Sequence, residues 1–563
     1  MAKEISIADF DVIVIGAGIN GAGIARDAAM RGLKVLVLDK GDIGGGTSSW
    51  STRLIHGGLR YLEHGELGLV RESLRERDCL LNIAPHLVRP LQILLPIYKH
   101  AHRGGWTIRA GMIAYDVLSF GKSLPRHRML SVSETLRQAP GLNREDLLGA
   151  AVYFDAQVEF AERLVLENVL AAIEHGATVI TYAHVERLLI ENGKVCGVEY
   201  SVVQSPGFKK QDRVSRGQEG GLPPQRGCPA GDPGLAPALP LRAQRVATAP
   251  IVINAAGPWI DQVLMTSGAD SSRLIGGTKG SHLVIAPFAG APDSAIYVEA
   301  ETDRRPFFII PWNGNYLIGT TDIRYHGDLD RVRIEAEEIE YLLRETNRVI
   351  PTAQLNRAHI LYTYSGVRPL PFVNDKEAQS ITRKRFIRAS PQRDNLFSIV
   401  GGKLTTYRSL AQETVDLILK RLGKNKPTCT TDQVALPGAM VQHEIVELPK
   451  LSEQTNHRFA RIYGTRSSAV KKLISDDFSL GEIFDPETGA IAAEVVFAFK
   501  SEFAQTLSDC LLRRTMVGLN STCGLDAVEA AAGIAQKHLG WSAHRVAQET
   551  AAYRNEISRR ILR

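Results

Sequence analysis

The spacing of apolar and polar residues changes character along the 563-residue chain. In DVIVIGAGINGAGIARDAAMRGLKVLVLDKG (11–41) an unbroken apolar strand runs into a glycine turn, an alanine-rich helix and a second apolar strand. Strands that are apolar at every position are buried on both faces, so this stretch predicts a parallel βαβ unit. Between about 272 and 392, AIYVEA, PFFIIPW and NYLIGT alternate apolar residues over short runs, which predicts antiparallel strands. From about 430 onward, FARIYGTRSSAVKKLI, IAAEVVFAFKSEFAQTLSDCLLRR and GLDAVEAAAGIAQKHLGW space their apolar residues by three and four. That is the period of a helix with one buried face, so an all-helical C-terminal domain is expected.

Composition narrows the class. With 44% hydrophobic and 23% charged residues the chain can bury several cores, and its length predicts roughly three or four domains. No run of roughly 18 apolar residues occurs, and Met1 to Phe10 lacks the charged start, apolar middle and cleavage site of an export signal. The chain is therefore expected to begin inside the cell. Its six cysteines, Cys79, Cys196, Cys228, Cys429, Cys510 and Cys523, form no C-x-x-C pair. Reduced thiols are expected, with no structural metal and no disulfide framework. A net charge of +6 is modest for this length and does not imply nucleic-acid binding.

The candidate chemistry begins at the glycine turn. Gly16, Gly18 and Gly21 form G-x-G-x-x-G between strand and helix, and Asp39 closes the second strand near the ~20-residue offset of a dinucleotide fingerprint. Gly16 and Gly18 would let backbone approach a pyrophosphate, whose charge the helix N-terminus stabilises. Asp39 would accept hydrogen bonds from ribose hydroxyls. The alternative is a glycine turn in an ordinary βαβ unit that binds nothing, but packing alone has no use for the terminal acid. The fingerprint by itself does not choose between NAD and FAD.

Six further segments follow: SSWSTRLIHGGLRYLEHGE (48–66), TKGSHLVI (278–285), IGTTD (318–322), TYSGVRPL (363–370), ITR (381–383) and GGKLTTYR (401–408). With them the sequence closely resembles the FAD-dependent, membrane-associated glycerol-3-phosphate dehydrogenases, over about 8–200 and 250–420 and more weakly through RIYGTR (461–466) and LLRRTMVGL (511–519). The resemblance implies an α/β fold, with a Rossmann-like FAD-binding domain, an antiparallel-sheet substrate domain and an all-helical C-terminal domain. It implies oxidation of sn-glycerol 3-phosphate to dihydroxyacetone phosphate, FAD as cofactor, a membrane quinone as electron acceptor, and a peripheral position on the cytoplasmic face of the inner membrane. A homodimer is left open.

Within that resemblance the segment 48–66 runs past the flavin into the substrate pocket. Thr47, Ser48 and Ser49 can bond phosphate or ribityl oxygens, while Gly57 and Gly58 let backbone pass close to a flat ring. Gly257 in the VINAAGPW turn, and Gly402, Lys403 and Leu404 at the start of a long helix, are further expected FAD contacts. Arg60, Tyr61 and Arg383 can hold a phosphate dianion; for Arg60 the alternative is a surface ion pair with Glu63 or Glu66. Removing the C2 hydroxyl proton needs a base, for which His56 is the first choice and His282, also a substrate-binding candidate, the second. Arg368 or Lys403 could instead hold the developing alkoxide, and Lys403 with its helix N-terminus would stabilise charge on the reduced ring. For Lys403 the alternative is simple solvation of the helix start.

The expected FAD domain is discontinuous, 1–95, 145–271 and 393–425; the substrate and membrane-contact part takes 96–144 and 272–392, and the helical domain 430–563. Residues 205–240 hold seven glycines and seven prolines, and a disordered insert is expected there. YFDAQVEFAERLVLEN carries one residue more than the family's acidic pattern, which leaves the roles of Asp155, Glu159 and Glu162 open. Residues 99–128 place six lysines and arginines and one acid around WTIRAGMIAYDVLSF. Such a run suits an anionic membrane surface, and it also suits a core helix. Rival readings are an oxidase that passes electrons to oxygen, a flavin amine or amino-acid oxidase, and a flavin-bound sensor without turnover.

Overall fold

The computed structural model describes residues 9–203, 242–439 and 451–560, without 60–61, 63–64, 100–103, 120, 122, 269–271 and 375–380. The insert 205–240, Arg60 and Tyr61 therefore lie outside the described residues.

The βαβ unit forms as its apolar pattern predicts. Val12–Ile15 is the inner strand of a six-stranded sheet, flanked in parallel by Val35–Leu38 and Val252–Asn254. Thr178–Ile180 extends one side, and Arg393–Val400 with antiparallel Phe386–Ser390 extends the other. All four residues of Val12–Ile15 are buried, which explains the unbroken apolar run. The helix Ile19–Met30 packs against Ala161–Glu174 and Tyr407–Leu422 through Ala22, Ala25 and Ala28. Close approach is built into the sequence there, because a Cβ on Gly23 would lie 2.7 Å from the Tyr407 ring.

The second sheet has ten strands and is mainly antiparallel. Near one edge, Thr278–Ile285 is buried at every position and paired with both Asn315–Gly319 and Ile360–Arg368. Ala295–Glu299 and Pro306–Trp312 continue it, in agreement with their alternating patterns. Two strands expected in the FAD domain join this sheet instead. Val88–Tyr98 and Leu147–Val158 pair along their length, and Val88–Tyr98 runs parallel to Ala295–Glu299. Apolar runs such as QILLPIY announce a buried strand, but a run's period carries no information on which sheet buries it.

Beyond residue 450 the helices Glu453–Ile462, Ser467–Asp476, Ala492–Ser501, Val528–Leu539 and Ala543–Ser558 pack around Phe497, Leu511 and Tyr553, in a core continuous with that of the ten-stranded sheet. Among the described residues the all-helical expectation misses a short ribbon, Ile483–Asp485 with Ala490–Ile491. Among the described residues no helix is long and apolar enough to cross a membrane.

Candidate active site

A cavity of about 590 Å³ opens at the C-terminal edge of the parallel strands, where this class of sheet binds nucleotides. Gly16, Gly18, Asp39, Ser48, Gly257 and Gly402 all line it. Gly16 has φ +105°, and a Cβ there would sit 2.6 Å from the Ala255 carbonyl oxygen. Gly21 lies directly behind the turn, where a Cβ would meet the Gly16 carbonyl oxygen at 1.9 Å. Gly16 and Gly21 are thus required by the turn and its helix, whereas a Cβ on Gly18 would meet only Ser48 Oγ at 3.4 Å, and the cavity in front of them is left open.

The polar groups divide into those that build the cradle and those that face into it. Asp39 accepts hydrogen bonds from the Ala17 amide at 2.6 Å and the Gly41 amide at 2.8 Å, which ties the acid to the turn. Desolvation raises its pKa in spite of those amides. Ser48 Oγ accepts from the Ile19 amide at 3.0 Å, at the start of the helix. Thr47 Oγ1 donates to the Val367 carbonyl at 2.7 Å. Ser49 departs from the expected cofactor role: its buried hydroxyl donates to the Gly44 carbonyl at 2.7 Å. Leu404 joins the wall beside Gly401 and Gly402.

Two buried polar atoms on this wall, Asn20 Oδ1 and Trp259 Nε1, have no hydrogen-bond partner among the described residues. Orphaned buried polar atoms are costly and call for a ligand or water. Gly402, at φ +98°, lets backbone pass where a Cβ would lie 2.9 Å from Asn20 Nδ2. A phosphate-accepting helix N-terminus, an anchored acid and unsatisfied donor and acceptor groups fit a dinucleotide such as FAD.

The opening segment 48–66 resolves differently. Gly57 is not there to admit a ring, because a Cβ would meet Tyr115 Oη at 2.3 Å and Leu74 Cδ2 at 2.6 Å. Its amide donates to Tyr115 Oη and Asp155 Oδ1. The packing of Tyr115 over the backbone therefore accounts for this glycine. His56 precedes it, half-buried, with its amide donating to Thr405 Oγ1 at 3.1 Å. Desolvation pushes its imidazole down to about 4; Asp155 opposes the shift, and Lys403 and Arg383 add to it.

The charges acting on His56 belong to a cationic cluster. Lys403, 3.5 Å from Ser73 Oγ, is pushed down to about 7 by desolvation, against the pull of Glu66 and Glu72. Arg368 and Arg383 converge on one carboxylate, Asp322, at 3.1 and 2.7 Å. Arg368 also reaches Thr320 Oγ1 at 2.9 Å, and Arg305 donates to the Asp322 carbonyl oxygen. Desolvation disfavours the Asp322 anion, yet Arg368 and Arg383 hold its carboxyl below the usual range.

His282 lies near Arg368 but is buried within the sheet. It is 1% exposed in Thr278–Ile285, with its ring 4.7 Å from that of Tyr364 and Nε2 3.0 Å from Thr52 Oγ1. Burial, with Arg368 and Arg53 near, keeps the imidazole far below its ordinary pKa. It packs within the sheet between Tyr364 and Thr52, which favours a supporting role over the expected substrate contact. The open acids are likewise structural: Asp155 pairs with Arg77 at 2.6 Å, Glu162 with Arg53 at 2.8 Å, and Glu159 with Arg461. Sequence reasoning missed Asp322 and Arg77. The first stands at the end of the IGTTD motif and could have been found there, whereas nothing local marks the second.

Residues 11–417 match the FAD dependent oxidoreductase family, and 429–546 match the C-terminal domain of alpha-glycerophosphate oxidase. A glycerol-3-phosphate dehydrogenase from Synechocystis is 45% identical over 559 residues, covering 96% of this chain and 94% of the relative. This chain belongs to the FAD-dependent glycerol-3-phosphate dehydrogenase family. A D-erythritol 1-phosphate dehydrogenase from Brucella abortus is 34% identical, covering 91% and 95%. The FAD-complexed glycerol-3-phosphate dehydrogenase from Bacillus halodurans superposes with a TM-score of 0.72 at 25% identity, covering 98% of this chain and 95% of that one. The chain is thus an FAD-dependent oxidoreductase, a flavoprotein enzyme with the same α/β fold.

Proposed function

We propose that the enzyme oxidises sn-glycerol 3-phosphate at C2 to dihydroxyacetone phosphate and passes the electrons to a membrane quinone. The observation that carries the reading is the gathering of His56, Lys403, Arg368 and Arg383 beside the cofactor cradle, whose wall includes their chain neighbours Pro369, Gly402 and Leu404. His56 responds to the charge of Lys403, Arg383 acts on both, and Arg368 and Arg383 share Asp322.

Bound FAD supplies the acceptor for the hydride that leaves C2. His56, neutral at pH 7 because its imidazole titrates at about 4, is free to take the hydroxyl proton. Lys403, poised near 7, stabilises negative charge that develops on the oxygen. Arg383 holds the phosphate, and Arg368, locked through Asp322 and Thr320, keeps its fork aligned over the reacting end. Anaerobic addition of glycerol 3-phosphate should bleach the yellow protein, and a quinone analogue should restore the colour faster than air. Rapid re-oxidation by oxygen with peroxide release would instead support an oxidase. D-erythritol 1-phosphate presents the same phosphate to the same arginines, so bleaching by it alone would move the substrate to the longer polyol.

A membrane contact is part of the same reading. The helix Gly105–Leu118 exposes Trp106 at 83%, Val117 at 68% and Ile113 at 52%, with Arg109 against the Trp106 ring. Aromatic and apolar residues beside cations suit an anionic interface. High-salt extraction should release part of the protein from membranes, and release by detergent alone would contradict this partly electrostatic contact.

A further inference from the structure

The C-terminal domain has no residue in the proposed chemistry, yet it reaches the cofactor cradle. Arg513 and Glu556, both beyond residue 450, form part of the cavity wall. Arg513 comes from the tight turn Cys510–Arg514, which presents Arg513 and Arg514 side by side. Both grip Asp42, which lies just past Asp39 in the loop that ends the fingerprint. Arg514 takes the two carboxylate oxygens at 2.9 and 2.6 Å, and Arg513 Nε donates to one of them at 2.5 Å.

The contact closes into a ring. Arg513 also donates to Asp509 at 2.7 Å, and Asp509 accepts from Tyr182 Oη at 2.7 Å. Tyr182 returns to the fingerprint loop, since its amide donates to the Gly41 carbonyl and the next amide, of Ala183, donates to that of Asp39. Gln505 adds a bond to Thr181 Oγ1 at 2.9 Å. Asp42, Asp509, Arg513 and Arg514 are each less than a tenth exposed, two acids against two bases. A charge-balanced buried ring of bidentate bonds contributes little as net stability but fixes geometry, and losing one member leaves the others unpaired.

We propose that this ring is a latch: by holding Asp42 and Tyr182, the C-terminal domain sets the shape of the cradle between Asp39–Asp42 and Tyr182–Val185, so that docking of that domain and retention of FAD are thermodynamically coupled. Arg514, which does not line the cavity, is then a positioning residue for FAD. Coupling is reciprocal: what the domain adds to FAD affinity, FAD adds to the docking of the domain.

The test uses the full chain stripped of FAD and reconstituted. In the wild type, FAD should slow hydrogen exchange across 507–514. Arg514→Lys keeps the charge but loses the bidentate fork, and should weaken FAD binding by about tenfold or more. It should also narrow the gap in melting temperature between the FAD-bound and stripped forms, whereas a merely structural defect lowers both alike. Should Arg514→Lys fail to fold, Tyr182→Phe removes one bond of the ring and should weaken FAD in the same direction. Exchange at 507–514 that ignores FAD in the wild type, or a folded variant with unchanged FAD affinity, overturns the proposal.

Discussion

Replacing Asp322 with asparagine keeps the volume of the side chain and removes the charge that Arg368 and Arg383 share. The carboxylate holds the first at 3.1 Å and the second at 2.7 Å and is itself 7% exposed, so the two bonds are charge-assisted and largely shielded from water. Each is worth about 1.5–3 kcal/mol. Asparagine can still accept one weaker bond, so a net loss of about 3 kcal/mol is expected, roughly a hundredfold in kcat/KM. If the arginines serve chiefly to bind phosphate, most of this falls on KM. The assay is steady-state dye reduction with glycerol 3-phosphate, alongside the FAD spectrum to confirm that the cradle is intact. Acid stability gives an independent check. The Asp322 pKa is depressed in the folded chain, so its contribution is present above about 3.9 and lost as pH falls through the lower folded value. An Asp322→Asn enzyme with full FAD and kcat/KM within threefold of the parent would refute the reasoning that this carboxylate aligns the two forks.

Arg383→Ala should raise KM for the phosphorylated substrate, and Lys403→Ala should mainly lower kcat; unchanged kinetics in both would remove the site assignment. The pH profile of kcat/KM should fall on the acid side near 4, where His56 gains a proton, and on the alkaline side near 7, where Lys403 loses one. Lys403→Met should abolish the alkaline limb, and its survival would assign that limb elsewhere. Gly57→Ala forces a Cβ against Tyr115 and Leu74 and should destabilise the fold by about 1–3 kcal/mol, and an unchanged midpoint in thermal unfolding would refute this packing. Trp106→Asp should weaken flotation with anionic liposomes while leaving the melting temperature unchanged, and equal flotation would exclude that helix as the contact.

Legibility from sequence follows the distance over which a physical constraint acts. Gly16, Gly18, Gly21 and Asp39 are readable because turn, helix and acid interact within one βαβ unit. The strands 295–319 and the terminal helices are readable because their apolar residues recur within one short segment. Asp322 is harder, since its partners Arg368 and Arg383 stand 46 and 61 residues away. Arg514 meets Asp42 across 472 residues, and no local pattern records that. Gly57 misled for a related reason: a glycine announces close approach but not which neighbour approaches, and here it is Tyr115. His282 has the residue type of a base in a family motif, yet its strand is buried on both faces.

The order of strands in the six-stranded sheet bears on how the protein is made. Val12–Ile15 leaves the ribosome early, but its neighbour Val252–Asn254 emerges some 240 residues later, and Arg393–Val400 later still. Until then the apolar first strand lacks one flank, and pairings this remote are slow to form and exposed to aggregation. With Gly16, Ala255, Gly402 and Arg513 all needed to enclose it, the nucleotide-binding hollow is a property of the completed polypeptide. Cofactor loading therefore comes after the last of these segments has been made.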